Sequence, residues 1–205
     1  MVSLMHADEP EERYQCAEAI VEIAGDLVYK RRIEKRYRVP NLDERLRRER
    51  TKSEAKLISE ARRNGVPTPI VFDVNDYTLV MERIPGTLAR DLITEQISER
   101  IGEHVGTLHR SSIIHGDLTT SNIIVEQSSG RIYLIDFGLA FFDASTEARG
   151  VDVHVFFQSL KGTHEAYERL RAAFINGYTR TAPQAAQVLN RVAEIERRGR
   201  YVERS

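Results

Sequence analysis

The stretch His115-Gly116-Asp117-Leu118-Thr119-Thr120-Ser121-Asn122, then Ile123-Ile124-Val125, a polar turn from Gln127 to Gly130, and Tyr133-Leu134-Ile135-Asp136-Phe137-Gly138, decides how this chain is read. Two acids and an amide stand at the ends of short apolar strands. Asp117 is placed to accept a proton from an attacking hydroxyl. Asn122 and Asp136 offer the hard oxygen ligands that magnesium takes when it bridges nucleotide phosphates. The pattern points to phosphoryl transfer. The bland alternative is a hairpin whose turns carry Asp and Asn because those side chains bond their own backbone. Either half of the stretch alone would leave that alternative open. The ordered pair, with Asn122 five residues after Asp117 and a second strand delivering Asp136, makes it the poorer account.

Composition sets the bounds. At 205 residues the chain can bury a sizeable core and is expected to form one unit, with room for two lobes. Its 30 basic and 31 acidic side chains leave a net charge of −1, which excludes a globally basic or acidic protein. The balance hides asymmetry: Lys and Arg crowd between Lys30 and Arg63, and Asp8, Glu9, Glu11 and Glu12 mark the first dozen residues. Cys16 is the only cysteine, so no internal disulfide is expected and a reducing compartment is. No basic-then-apolar leader and no bilayer-length apolar run stand out, so the expectation is a cytoplasmic protein without a membrane segment.

Taken in order, residues 1–14 read as a flexible acidic tail. Ala19 to Ala24, Gly25-Asp26 and Leu27 to Ile33 read as a tight hairpin of β-branched strands. Alternation puts Val28 and Lys30 on one face of the second strand, which favours Lys30 over Arg31 and Lys35 as a cation aimed into the fold. After the extended Arg38-Val39-Pro40, a helical stretch runs from about Leu42 to Asn64, ended by Gly65 and Pro67, with a possible second start at Thr51. Glu54 has two readings there. It has capping-box spacing to Thr51; the resemblance of the core stretch to protein kinases implies the other, in which Glu54 pairs with Lys30 and Glu49 and Glu60 are weaker candidates. The ion pair is the favoured reading.

Two further strands follow, Ile70 to Val74 and Thr78 to Arg83, turning at Asn75-Asp76. Ser98 to His109 reads as an amphipathic helix capped by Ser98, with Ile101, Val105 and Leu108 on its core face. His115 is read as a packed structural histidine. A helix is expected near Val151, and Asp152 reads as an acid favoured by a helix N-terminus; the resemblance to protein kinases implies that it also braces the loop around Asp117, and the two readings are compatible. Helices over Glu165 to Tyr178 and Pro183 to Arg198 complete the chain, followed by a basic, flexible tail over 198–205.

The central stretch resembles the protein-kinase superfamily, and His-Gly-Asp in place of His-Arg-Asp points to its atypical branches. Among these, three segments are similar to the PRPK-type kinase of the KEOPS complex: Tyr29 to Pro40, Leu46 to Ala55, and Gly116 to Asn122. The similarity covers about residues 15–205. It implies an α+β fold, a minimal two-lobed kinase with an N-lobe antiparallel sheet plus helix C over 15–84, and a mostly helical C-lobe with a short activation segment over 85–197. It implies an ATP- and magnesium-dependent serine/threonine kinase or ATPase, working in KEOPS, the assembly that makes threonylcarbamoyladenosine on transfer RNA.

By the same resemblance, Asp117 is the catalytic base and Lys30, oriented by Glu54, neutralises the ATP phosphates. Val28, Met81 as gatekeeper, the backbone of Glu82 and Ile84, and Ile124 hold the nucleotide. Asn122 and Asp136 hold magnesium. The expected partners are the KEOPS threonylcarbamoyltransferase subunit and its companions, with transfer RNA reached through the basic helix and tail.

Two departures from the pattern carry consequences. Gln15-Cys16-Ala17-Glu18-Ala19 stands where a glycine loop would cover the phosphates, which leaves fewer flexible amides there. Thr119 replaces a lysine beside the transferred group, which favours slow turnover or hydrolysis. Two other functions fit the core motif: a small-molecule phosphotransferase like the aminoglycoside and choline kinases, and a non-catalytic nucleotide-gated binding module.

Overall fold

In the computed structural model, which describes residues 10–16 and 18–202 and the side chains as far as 198, the chain alternates short strands and helices before ending in three long helices. The first strand, β1 (Glu12–Gln15), was not expected. It pairs antiparallel with β2 (Ala19–Ala24), so the part of the acidic segment from Glu12 onward belongs to the sheet and not to a tail. Its sequence, Glu-Arg-Tyr-Gln, has no apolar alternation to announce a strand. It lies on a sheet edge, where β2 supplies the backbone bonds. Residues 1–9, with Asp8 and Glu9, lie outside the described residues.

β2 and β3 (Leu27–Arg32) form the expected hairpin, with Gly25 at φ +55° in the turn, a conformation that costs glycine nothing. α1 (Pro40–Arg63) follows as one unbroken helix of 24 residues with Pro40 in its first turn. No second helix starts at Thr51. Its hydroxyl bonds the Arg47 carbonyl one turn back at 2.8 Å, so the capping-box reading of Glu54 falls. β4 (Val71–Val74) and β5 (Thr78–Glu82) complete a sheet of order β1-β2-β3-β5-β4, with α1 packed against its β4 and β5 side.

A short strand β6 (Gly86–Leu88) and one turn of helix, α2 (Ala89–Leu92), lead into the second lobe. α3 (Glu95–Arg110) begins three residues before the expected Ser98. Thr94 is its cap, accepting from the Ile97 amide, and Ser98 is buried with its hydroxyl on the Leu170 carbonyl at 2.7 Å. The first turn, Glu95-Gln96, is polar and carries no apolar signal, which is why the start was misplaced.

β7 (Ile113–Ile114), β8 (Ile123–Glu126) and β9 (Ile132–Leu134) follow; β6, β8 and β9 form one small sheet, and β7 pairs with β10 (Phe141–Phe142). α4 (Thr146–Thr163) starts five residues ahead of Val151, capped by Ser145. Asp152 therefore sits two turns inside the helix, and the macrodipole account of it does not apply. α5 (Tyr167–Thr181) and α6 (Ala185–Val202) close the lobe. α6 runs on past Arg198, so the segment expected as a flexible tail is helical through Val202; residues 203–205 lie outside the described residues.

The core of this lobe is aromatic. Phe174 lies 4.7 Å from Phe156 and edge-on at 5.4 Å to Phe157, all fully buried with Tyr178. α3 and α5 approach so closely that a Cβ on Gly177 would lie 1.8 Å from the Glu99 carbonyl oxygen. The loop from His115 to Asn122 stands on α4, where Asp152 and Ser159 accept from the backbone amides of His115, Gly116 and Thr120.

Candidate active site

β3 alternation aims Lys30 and Arg32 at α1 and leaves Arg31 exposed on the other face. Lys30 Nζ donates to Glu54 Oε1 at 2.7 Å and to Asp136 Oδ1 at 2.6 Å. Arg32 Nη2 takes the other oxygen of Glu54 at 2.6 Å. Glu54 is only 2% exposed, while Glu49 pairs with Arg45 at the surface and Glu60 with Arg63. Of the competing carboxylates, Glu54 alone meets Lys30. Burial works against the Lys30 charge, but the carboxylates of Glu54 and Asp136 outweigh it and hold its pKa above the ordinary lysine value. Burial likewise pushes Asp136 upward, and the Lys30 ammonium overrides it, so its carboxyl sits below the usual aspartate range.

Asp136 adopts φ +59°, a left-handed conformation that short polar side chains tolerate best, and its Oδ1 also accepts from the Gly138 amide at 3.2 Å. The turn exposes its carboxylate at the mouth of the site. Beside it runs the loop from His115 to Asn122, whose Asn122 carbonyl accepts from the Ile135 amide at 3.0 Å. Asn122 Nδ2 donates to Asp117 Oδ2 at 2.9 Å and to the Asp117 carbonyl at 2.8 Å, which orients both side chains.

Below the loop, Asp152 accepts from the His115 and Gly116 backbone amides, each at 2.9 Å, and faces His109 Nε2 at 3.1 Å. His109 Nδ1 in turn meets the Tyr178 hydroxyl at 2.8 Å. Burial would raise the Asp152 carboxyl; its bond to His109 leads the contacts that bring it below the ordinary value. His115 is fully buried with Nε2 3.0 Å from the Ile135 carbonyl, the structural role expected of it. Gly116, at φ +79°, lets the loop pass the following segment: a Cβ there would lie 2.2 Å from the Leu139 carbonyl oxygen.

The remaining expected positions lie on β3, on β5 and the segment after it, and on β8. Val28 on β3 stands directly across from Met81 on β5, and Ile84, 8% exposed, lies two residues beyond Glu82, where that strand ends. Ile124 reaches to within 2.7 Å of where a Gly86 side chain would begin, which sets it beside the chain leaving Ile84.

Among the described residues no cluster of three or more His, Cys, Asp or Glu gathers to hold a metal unaided. The donor set nevertheless suits magnesium. That ion takes one or two protein oxygens and completes its shell with substrate phosphates and water. The exposed Asp136 carboxylate and the Asn122 side-chain oxygen, its nitrogen being committed to Asp117, supply such a pair. A surface depression between α3 and α5, lined by Glu95, Glu99, Arg169 and Asn176, includes none of these residues.

Arg32, His109 and Tyr178 were missed from the sequence. Arg32 had a signal, since it is two residues from Lys30 and shares its face. His109 and Tyr178 are far apart in sequence, and only helix packing brings them together. The basic run on α1 also reads differently in three dimensions. Arg47 pairs with Asp43 at 2.7 Å, Arg48 with Asp76 at 3.1 Å, and Arg50 with Glu18. Much of its charge is thus neutralised within the fold.

Residues 22–150 match the family described as the RIO domain. The chain is 54% identical over 191 residues to the probable serine/threonine-protein kinase BUD32 homolog of Archaeoglobus fulgidus, covering 93% of this chain and 96% of that one. The chain belongs to the RIO-domain family, among its BUD32 homologues. A probable bifunctional tRNA threonylcarbamoyladenosine biosynthesis protein of Methanosarcina mazei is 55% identical over 172 residues, 84% of this RIO-domain chain but 31% of that protein's length. In architecture the chain is similar to the Rio2 kinase from Chaetomium thermophilum, with a TM-score of 0.65 at 14% identity over 93% of this chain and 72% of that one. The ADP/Mg2+-phosphoaspartate complex of that kinase aligns at a TM-score of 0.62. The minimal two-lobed kinase fold of the RIO domain is therefore present. No helix among the described residues is long and apolar enough to cross a membrane.

Proposed function

We propose that this chain is an ATP- and magnesium-dependent serine/threonine kinase and ATPase that serves threonylcarbamoyladenosine formation on transfer RNA within a KEOPS assembly. The observation that carries the proposal is the convergence of Lys30, Glu54 and Asp136 from three separate elements, facing Asp117 and Asn122. Lys30 neutralises the α- and β-phosphates. Val28, Met81, Ile124 and the backbone at Glu82 and Ile84 hold the adenine. Asp136 and Asn122 would hold magnesium, which would supply positive charge against the phosphates. Asp117, fixed by the Asn122 amide, orients and deprotonates the attacking hydroxyl or water. Thr119 places no cation beside the transferred group, which favours slow transfer and hydrolysis.

Support for the pathway comes from the bifunctional relatives, in which a kinase-like third is joined to further chain in a protein named for that modification. The partner we infer is the threonylcarbamoyltransferase subunit, with other KEOPS subunits beside it. Transfer RNA contact through α1 and the basic end of α6 stays part of the proposal, with α1 contributing less than its composition suggests. The lobes divide between Ile84 and Pro85, and the compartment is the cytoplasm.

The test is Asp136→Ala in a reconstituted complex with transfer RNA. Magnesium-dependent ATP hydrolysis is expected to fall at least about 100-fold. Undiminished hydrolysis refutes the assignment. Transfer of phosphate to a small metabolite, indifferent to transfer RNA, replaces it with the small-molecule phosphotransferase reading. Full RNA modification without ATP turnover by wild type replaces it with the binding-module reading.

A further inference from the structure

Glu54 is one buried carboxylate serving two cations. Lys30 holds one oxygen at 2.7 Å and Arg32 the other at 2.6 Å, and both cations come from the same face of β3. Arg32 also stands at the cleft itself. A Cβ built on Gly138 would lie 3.4 Å from Arg32 Nη2 and 3.5 Å from Lys30 Nζ, so the two cations flank the same backbone point just after Asp136. On its far side Arg32 Nη1 lies 3.6 Å from Glu18, in the turn between β1 and β2. Glu18 is held there by Arg50 as well, and by Arg38 at 3.7 Å. The turn itself is tight, with the Cys16 amide on the Ala19 carbonyl at 2.9 Å. Charges of alternating sign thus run without a gap from Glu18 through Arg32, Glu54 and Lys30 to Asp136.

The physics of the shared carboxylate gives Arg32 a task. With Lys30 alone, both oxygens of a buried Glu54 would be free to grip the ammonium and would compete with ATP phosphates for it. Arg32, whose planar fork binds a carboxylate oxygen directionally, takes one oxygen and confines Lys30 to the other. It also offsets the negative charge of Glu54, leaving the Lys30 charge available to an incoming anion.

We propose that Arg32 is a positioning residue for the ATP phosphates: it sets Glu54 so that Lys30 is available to phosphate, and through Glu18 it ties the β1–β2 turn to the site where a glycine loop is lacking. The inference rests on the cleft being an ATP site.

ATP and adenosine binding, with the steady-state constants for ATP hydrolysis, should be measured for wild type, Arg32→Gln, Arg32→Lys and Glu18→Gln. Arg32→Gln is expected to weaken ATP about tenfold, one charge's worth of phosphate attraction, while adenosine changes less than about twofold. The KM for ATP should rise more than kcat falls, Arg32→Lys should recover part of the loss, and Glu18→Gln should weaken ATP about twofold. Because adenosine carries no phosphate, it reports whether the pocket survives the substitution. Parallel weakening of ATP and adenosine overturns the proposal in favour of a purely structural role, and unchanged ATP binding in Arg32→Gln overturns it outright. Failure of wild type to bind either compound overturns the ATP-site reading on which it stands.

Discussion

Two buried carboxylates hold the two sides of the cleft, and they do so differently. Glu54, above, is 2% exposed and is gripped by the ends of two long cationic side chains. Asp152, below, is 1% exposed and receives two backbone amides and a packed histidine ring. The upper contacts end in charges whose stems can turn. The lower ones are fixed by the path of the main chain and by an aromatic core. Orientation of Lys30 is therefore an electrostatic property, and orientation of the loop from His115 to Asn122 is a folding property.

The contrast can be broken most severely from below. Asp152→Ala strips three donors of their buried acceptor and should cost about 4 kcal/mol, read as a lowered urea midpoint. A loss under about 1 kcal/mol would mean the loop is held elsewhere. Glu54→Gln tests the upper side. It should lower ATP turnover about 100-fold and cost about 2 kcal/mol of stability, because Lys30 keeps Asp136 and Arg32 keeps Glu18 as partners; an unfolding penalty equal to that of Asp152→Ala would erase the distinction.

The smallest effect concerns acid. His104 on α3 has Nε2 buried without a partner, and burial with the nearby Arg100 charge lowers its pKa to about 4. The unfolded chain binds this proton near pH 6.5, so the stabilising contribution is complete above that value and is lost as pH falls toward 4. By pH 5 the loss should be about 2 kcal/mol, and His104→Gln should flatten the slope between pH 6.5 and 5. Asp136 stays ionised over that interval, its carboxyl being held below the usual range, so its link to Lys30 should persist. Acid should weaken the lower lobe first.

Much of this was legible in the residues. The loop from His115 to Asn122 and the turn after β9 that carries Asp136 announce themselves because phosphoryl-transfer chemistry needs fixed residue types at fixed spacing. Lys30 followed from alternation, and Glu54 from choosing between two local readings that the unbroken α1 resolves. The KEOPS kinase expectation agrees with the BUD32 relatives. Illegible features had physical reasons for silence. β1 lacks an apolar face, and α3 and α4 open with polar turns ahead of their periodic residues. Pairing of Arg50 with Glu18 and of Arg48 with Asp76 depends on tertiary approach, while Asp43 and Arg47 are one helical turn apart on α1, so a basic run in sequence overstated the basic surface.

α1, unbroken over 24 residues, is about 36 Å long. Near its start Asp43 engages Arg38 and Arg47, at its middle Glu54 meets Lys30, and Lys56 lies 5.5 Å from the ring of Phe142 beyond Asp136. A rod gripped in this way works as a lever. A tilt of about 5° about its centre moves each tip by about 1.5 Å and turns the Glu54 carboxylate that holds Lys30 and Arg32 through the same angle.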